Sequence, residues 1–377
     1  MHPAPEPGPT IQKLSVSCYT VPTETPEADG TVAWDRTTLV LVEAEAGDRV
    51  GMGFSYADLA TGKVVDALLA KVILERKAFD IPGAHAAMLR AIRNHGRAGV
   101  ISMAISAVDT ALWDLKARLL DVSLLDLLGA ARESAEIYGS GGFTTYSVAQ
   151  LQAQLRGWAE QGIRAVKMKI GSDPASDPGR VRAAREAIGP DVALFVDANG
   201  AYSRKQALAF AERFAECRVC WFEEPVSSDD LEGLRLLRDR APAGMDIAAG
   251  EYGYDPAYFR RMLGAGAVDV LQADATRCAG ITGFMRAAAL CEAFGLPFSF
   301  HCAPALHAAP ACAAAPFTVG EYFFDHARIE QMLFDGAPRP VRGALFPDRS
   351  RPGHGLVFKR ADAARFAALT RTTPDLL

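Results

Sequence analysis

The 377-residue chain reads as a closed parallel β/α barrel preceded by an α+β domain. Two textures predict this. From about Glu136 onward, short β-rich runs recur with a helix-length amphipathic segment in each gap, the rhythm of a parallel sheet with crossover helices. Before that point, alternating strand-like runs come first and helical patterns follow. Eight strands, each alternating with a helix, favour a closed barrel over an open doubly wound sheet, the alternative fold.

In the first third, 11–21, 37–46 and 50–56 alternate as strands, and the polar stretch from Pro22 to Arg36 reads as a long loop. Helical patterns follow at 62–77, 84–94 and 99–120. The last places Ile101, Ile105, Val108, Leu112 and Leu115 on one helix face. This unit ends near Leu128-Gly129. The barrel strands are expected at 136–142, 165–171, 193–199, 219–224, 246–251, 268–274, 297–302 and 317–323. Ser147, Ser203 and Ser227 stand where helix N-caps are needed, and Gly162 where a helix stops. The run Gly139-Ser140-Gly141-Gly142 lacks the spacing of a dinucleotide cradle. Beyond Arg339 the rhythm stops; that tail, with an amphipathic helix expected near 361–371, should return to the first domain. The units are thus 1–130, with a lid at about 20–34, then 131–338 and 339–377.

Half the residues are hydrophobic and 23% are charged, enough for a sizeable core. A net charge of −5 argues against nucleic acid or an anionic membrane as partner. Seven scattered cysteines fit reduced thiols in the cytoplasm. Cys217 and Cys220 form a C-x-x-C, but no second pair completes a zinc site. The first residues lack the basic and apolar blocks of a signal peptide, and no apolar run is long enough to span a membrane.

The C-terminal strand ends of such a barrel form its active face. Those ends carry Lys167-Met168-Lys169, Asp197-Ala198-Asn199, Glu223-Glu224-Pro225, Glu251, Asp274, His301 and Glu321 on strands two to eight. One carboxylate at a strand end is more often a loop cap than a catalyst. Seven consecutive strands ending in ionisable groups, within otherwise apolar segments, require partners or a ligand. Asp197, Glu223 and Glu251 come from neighbouring strands and offer only oxygen, which suits octahedral Mg²⁺ rather than zinc. Strand parity lets only one of Glu223 and Glu224 face inward. Asp197-Ala198-Asn199-Gly200 also echoes a calcium loop but lacks the rest of that pattern. Lys167 and Lys169 share a strand face, so each should depress the other's pKa and prepare a general base. Asp274 could hold the ring of His301, across the barrel mouth from the lysines.

This set resembles the enolase superfamily, and within it the mandelate racemase subgroup. The resemblance extends over nearly the whole chain, including Asp109-Thr110-Ala111-Leu112-Trp113-Asp114, similar to the helix of that family's capping domain. It implies a modified (β/α)7β TIM-type barrel with an α+β N-terminal cap. It further implies Lys169 as base with Lys167 beside the substrate carboxylate, and Asp197, Glu223 and Glu251 as Mg²⁺ ligands, choosing Glu223 over Glu224. His301 with Asp274 would form a dyad; Glu321, in its protonated form, would hydrogen-bond the substrate carboxylate, with Asn199 also binding substrate. Aspartate rather than lysine on strand six argues against the muconate-cycloisomerase subgroup. Arg277-Cys278-Ala279-Gly280 departs from the Gly-Gly pair of many relatives.

The implied reaction is abstraction of the proton α to a carboxylate, giving an enediolate. The lid, Thr20 to Trp34, is rich in hydroxyl and acid groups, which suits an acid sugar, aldonate or aldarate. Dehydration to a 2-keto-3-deoxy acid is the expected outcome; racemisation or epimerisation of a 2-hydroxy acid is the alternative. No phosphate cradle follows strands seven and eight, and strand one lacks the His-x-His of a metal-dependent hydrolase. A purely structural barrel would not need the lysine pair and dyad together. Relatives commonly assemble as dimers or octamers, so a homo-oligomer is expected.

Overall fold

A computed structural model describes residues 8–372. The chain opens with an antiparallel meander of β1 (Ile11–Ala28), β2 (Ala33–Ala46) and β3 (Arg49–Tyr56). Helical turns from Leu59 to Ile73, broken by a π-helical stretch at Val65–Leu69, lead to helices Ile81–Ala91 and Val100–Leu119. The last helix lies against the meander and buries Ile105, Val108, Leu112 and Leu115, the face its spacing predicts.

Eight parallel strands follow: β4 (Ala135–Gly141), β5 (Ala165–Lys169), β6 (Ala193–Asp197), β7 (Val219–Glu223), β8 (Asp246–Ala249), β9 (Val270–Ala273), β10 (Phe298–Phe300) and β11 (Phe317–Phe323). They pair in sequence order, and β11 closes on β4 with Glu321 opposite Tyr138. The fold is therefore a closed barrel with an antiparallel N-terminal cap. Capping boxes at Ser147 and Ser203 start two barrel helices, each serine accepting the backbone N–H three residues on.

The tail wraps the outside. Strand β12 (Phe334–Asp335) pairs with β14 (Val357–Phe358), and β13 (Ala344–Leu345) pairs antiparallel with β4. Within the described residues the tail runs to β15 (Ala367–Thr372), which adds to the edge of β1 in the capping sheet. The helix expected at 361–371 is thus limited to Arg360–Ala363 and one 3₁₀ turn. Pairing with β1 overrides the local helical pattern there.

The cap is fixed to the barrel through buried carboxylates. Asp109 accepts hydrogen bonds from the Thr282 amide at 2.9 Å and its hydroxyl at 2.7 Å. Burial pushes its carboxyl up to about 7. Gly280 is required here: its φ is +85°, and a Cβ would lie 2.3 Å from Asp109 Oδ2. Asp114 accepts from Met52 N at 2.8 Å and His354 N at 2.9 Å, joining cap and tail. Among the described residues no helix is long and apolar enough to cross a membrane.

Candidate active site

Side-chain alternation divides the barrel interior into two layers. Tyr138, Phe195 and Trp221 fill the lower one together with Ala165, Ala248 and Val270; Phe195 stacks on Trp221 with ring centroids 4.9 Å apart. Two residues further along the same strands come Asp197 and Glu223. Strand register sets Lys169 beside Asp197 and Asp197 beside Glu223. The apolar plug thus supports a charged layer directly above it, at the C-terminal face.

All ten sequence-derived positions, Glu224 included, are buried in or beside this layer. Lys167 Nζ lies 2.5 Å from Glu223 Oε1, 2.8 Å from Glu321 Oε1 and 3.4 Å from Asp197 Oδ2. Lys169 Nζ lies 2.5 Å from Asp197 Oδ2. Glu223 Oε2 accepts from the Trp221 indole at 3.0 Å, and Asp197 Oδ1 accepts from Asn199 N at 2.9 Å. His301 Nδ1 meets Asp274 Oδ2 at 2.8 Å, and its Nε2 lies 3.4 Å from Glu251 Oε2. The other Asp274 oxygen accepts from Thr276 N at 2.7 Å. Glu321 accepts from Ser140 Oγ at 2.6 Å and Cys302 N at 2.9 Å.

Three sequence expectations change. Lys167 does depress Lys169, but neither lysine ends with a lowered pKa. Burial works against both ammoniums, and Lys167 lowers Lys169 further, but the surrounding carboxylates outweigh these effects and hold both lysines above the usual range. Glu321 is not a protonated acid in this arrangement. Burial favours its neutral form, yet Lys167, His301 and Lys169 hold it ionised, well below the usual carboxylate range. Glu224 does not turn to the outside. Its φ of +37° takes the chain out of strand geometry just after Glu223, so strand parity no longer applies. Its buried Oε1 has no partner, and burial with neighbouring Glu251 pushes its carboxyl well up.

Sequence reasoning also missed Arg277 as a member of the site. It lies one helical turn beyond Asp274, with Nη1 3.1 Å from Glu251 Oε1 and Nε 3.6 Å from Asp274 Oδ2. Extending the strand-end reading by three residues would have included it. Asp274 is held well below the usual range: the hydrogen bond and charge of His301, with Arg277 nearby, outweigh burial.

The stretch expected as a lid loop is a β-hairpin formed by the ends of β1 and β2, with Glu27 opposite Trp34. Its tip rests on the barrel: Thr144 N donates to Ala28 O at 2.9 Å and Thr145 Oγ1 to Pro26 O at 2.8 Å. A Cβ on Gly30 would lie 2.4 Å from Ala198 O and 2.6 Å from Ile170 O, so only glycine seats there. The Trp34 indole donates to Glu27 Oε2 at 2.9 Å and meets Phe143 edge-on at 5.7 Å. Burial pushes the Glu27 carboxyl up to about 8. Phe143, Phe323 and Cys302 form one cluster with Trp34, so the lid brings an aromatic wall as well as polar groups. On the other side a cavity of ≈630 Å³ is lined by Asn199, Glu224, Ser227, Tyr252, Tyr254 and Tyr258, among others.

The residues fit a hard divalent cation. One oxygen each from Asp197, Glu223 and Glu251 falls within 4.8 Å of the others. Glu251 Oε2 is buried without a hydrogen-bond partner, and the donor set is oxygen only.

The comparisons agree with this geometry. Residues 14–129 match the mandelate racemase / muconate lactonizing enzyme N-terminal domain, and 150–363 match the enolase C-terminal domain-like family. The chain belongs to the mandelate racemase/muconate lactonizing enzyme family of the enolase superfamily. A mandelate racemase/muconate lactonizing enzyme-like protein from Rubrobacter xylanophilus is 54% identical with a TM-score of 0.94, covering 96% of this chain and 100% of that one. L-talarate/galactarate dehydratase from Salmonella typhimurium is 32% identical over 80% of this chain and 78% of its own length. A racemase from Streptomyces coelicolor, solved with bound magnesium, is 30% identical with a TM-score of 0.89, over 95% of this chain and 100% of that one. Magnesium is the cofactor of this superfamily's sites.

Proposed function

We propose that this protein is a lyase that dehydrates an acid sugar, an aldonate or aldarate, to its 2-keto-3-deoxy acid. One observation carries the reading: Lys169 and His301 contact the carboxylate triad from two sides, through Asp197 and Glu251 respectively. A substrate carboxylate held over the triad then has its α-carbon between two proton-transfer groups. The naming of the Salmonella relative supports the acid-sugar class.

Asp197, Glu223 and Glu251 would hold Mg²⁺. Bound there, it supplies positive charge toward the substrate's carboxylate oxygens and offsets the negative charge that now keeps Lys169 protonated. Lys167 and Asn199 orient the substrate carboxylate. Lys169 takes the α-proton, and the C–H electron pair moves into the carboxylate to form the enediolate. Glu321 lies beside that developing charge. A second carboxylate brought next to it raises its pKa, so it can take up a proton and donate to the enediolate. The electrons then return, the β-carbon–oxygen bond breaks, and His301 Nε2 supplies the proton with which hydroxide leaves as water. The resulting enol takes a solvent proton at carbon 3 and gives up its hydroxyl proton to give the keto acid. Asp274 is a positioning residue that fixes the His301 tautomer through Nδ1.

In this reading residues 131–338 carry out the chemistry, the lid of 1–130 shapes the substrate's far end, and 339–377 ties the two together. A cytoplasmic homo-oligomer fits the seven free cysteines and the family.

Incubation of Mg²⁺-loaded protein with a panel of aldonates and aldarates, with α-keto acid as readout, tests the assignment. Keto-acid formation from at least one member is expected. Deuterium entry at the α-carbon without keto acid would instead support the racemase reading, which the Streptomyces neighbour favours.

A further inference from the structure

The geometry points to a second, softer metal site in the same cavity: His301 Nε2, Cys302 Sγ and Glu321 Oε2 as ligands for a thiophilic divalent ion such as Zn²⁺, which would inhibit the enzyme. The three donors form a closed triangle. His301 Nε2 to Cys302 Sγ is 3.2 Å, Cys302 Sγ to Glu321 Oε2 is 3.4 Å, and Glu321 Oε2 to His301 Nε2 is 3.6 Å. With usual zinc bond lengths, the edges of a tetrahedral N, S, O site are about 3.4–3.6 Å. The donor set is one that zinc prefers and magnesium does not. It shares no residue with Asp197, Glu223 and Glu251, so both ions have their own ligands.

The groups behind the ligands fit as well. His301 binds Asp274 through Nδ1 at 2.8 Å, which leaves the Nε2 lone pair free, the carboxylate–histidine–metal arrangement common in zinc proteins. Glu321 is anchored by Ser140 through Oε1 and by the Cys302 amide through Oε2. Cys302 and Ala303 have φ of +52° and +41°. Their carbonyls accept from His307 Nδ1 at 2.9 and 3.0 Å, and His307 Nε2 accepts from Ala275 N at 2.8 Å. This pinned left-handed turn brings the thiol back toward His301 rather than into the barrel wall. All three ligands are buried.

Coordination needs no redox step. The thiol proton passes to solvent, the sulfur, nitrogen and oxygen lone pairs go to the ion, and a fourth position remains for water or a substrate oxygen. The inhibitory consequence rests on the proposed function, because an ion on Nε2 displaces the proton that His301 would donate from that atom. The binding itself does not.

The test is Co²⁺ titration of the full-length protein in excess Mg²⁺, read by absorption. Cobalt on the oxygen triad gives no thiolate band, whereas cobalt at this site gives a near-ultraviolet thiolate-to-metal charge-transfer band that added Zn²⁺ abolishes. Cys302→Ser and Cys302→Ala should each lose the band, with folding checked by circular dichroism. The double variant Cys217→Ser/Cys220→Ser should keep it. In turnover, Zn²⁺ should inhibit the Mg²⁺-saturated enzyme, and Cys302→Ser should raise the inhibiting concentration at least ~10-fold through loss of one ligand. No band in folded wild-type protein, or a band that follows Cys217 and Cys220 instead, would overturn the site. A band without catalytic activity would leave the metal site standing and remove the enzymatic reading.

Discussion

Replacing Asp274 by asparagine tests the dyad with little change of shape. Asp274 Oδ1 accepts the Thr276 amide at 2.7 Å, and an asparagine oxygen can keep that bond. The side-chain amide then faces His301 Nδ1, where the carboxylate now sits at 2.8 Å. An amide N–H donates to Nδ1 and occupies its lone pair, so the ring resists protonation at both nitrogens and the imidazolium that serves as the acid is disfavoured. The carboxylate's support for an imidazolium is lost as well. At a charge separation of about 4 Å and an effective dielectric of about 20, that support is roughly 4 kcal/mol. This corresponds to about a 10³-fold fall in turnover. Steady-state keto-acid formation measures it, with thermal melting as the control for folding. Turnover within about 10-fold of wild type, in protein of unchanged stability, would refute a proton-transfer role for His301.

Three further outcomes follow from other parts of the molecule. Glu330 is buried, accepting from Ala305 N at 2.9 Å, and burial pushes its carboxyl from 4.5 up to about 8. The folded state therefore holds this proton more tightly than the unfolded state, so stability from this group is greatest below pH 4.5, falls as pH rises to about 8, and is flat above. At about 1.4 kcal/mol per pH unit the loss is a few kcal/mol; Glu330→Gln should match wild type in Tm at pH 5 and exceed it at pH 9, and parallel curves would contradict this. Gly30→Ala puts a Cβ against two backbone carbonyls, so the hairpin tip must lift; KM should rise about 10-fold with Tm almost unchanged, since the strain is confined to the projecting tip of the hairpin. Mg²⁺ at about 100 times its Kd should stabilise the fold by about 2.7 kcal/mol, and Glu251→Gln should remove most of that gain in a thermal-shift titration.

Much of this site is legible in the sequence because strand periodicity is a strict rule. Lys167 and Lys169 face inward for the same reason that Phe195 and Asp197, or Trp221 and Glu223, share a face. Glu224 escaped the rule because the strand had already ended in a left-handed residue. The lysines were misjudged for a different reason. Their spacing shows that they are neighbours, but their carboxylate partners depend on register between strands, which one segment does not encode. The lid read as a loop because its strands pair chiefly with each other and lack a continuous buried face, so Pro22 to Arg36 carries no alternating apolar signal. At 367–372 a local pattern meets a sheet edge, and the edge decides.

The account turns on removal of an α-proton by Lys169. Proton NMR in deuterated water, with Mg²⁺ and an acid sugar found to react, follows that proton directly. Wild-type protein should consume the α-proton signal and yield a 2-keto-3-deoxy acid carrying solvent deuterium at carbon 3. Lys169→Ala, with the same melting behaviour, should leave the signal intact. Full loss of the α-proton in the Lys169→Ala protein, at the wild-type rate, would contradict the account.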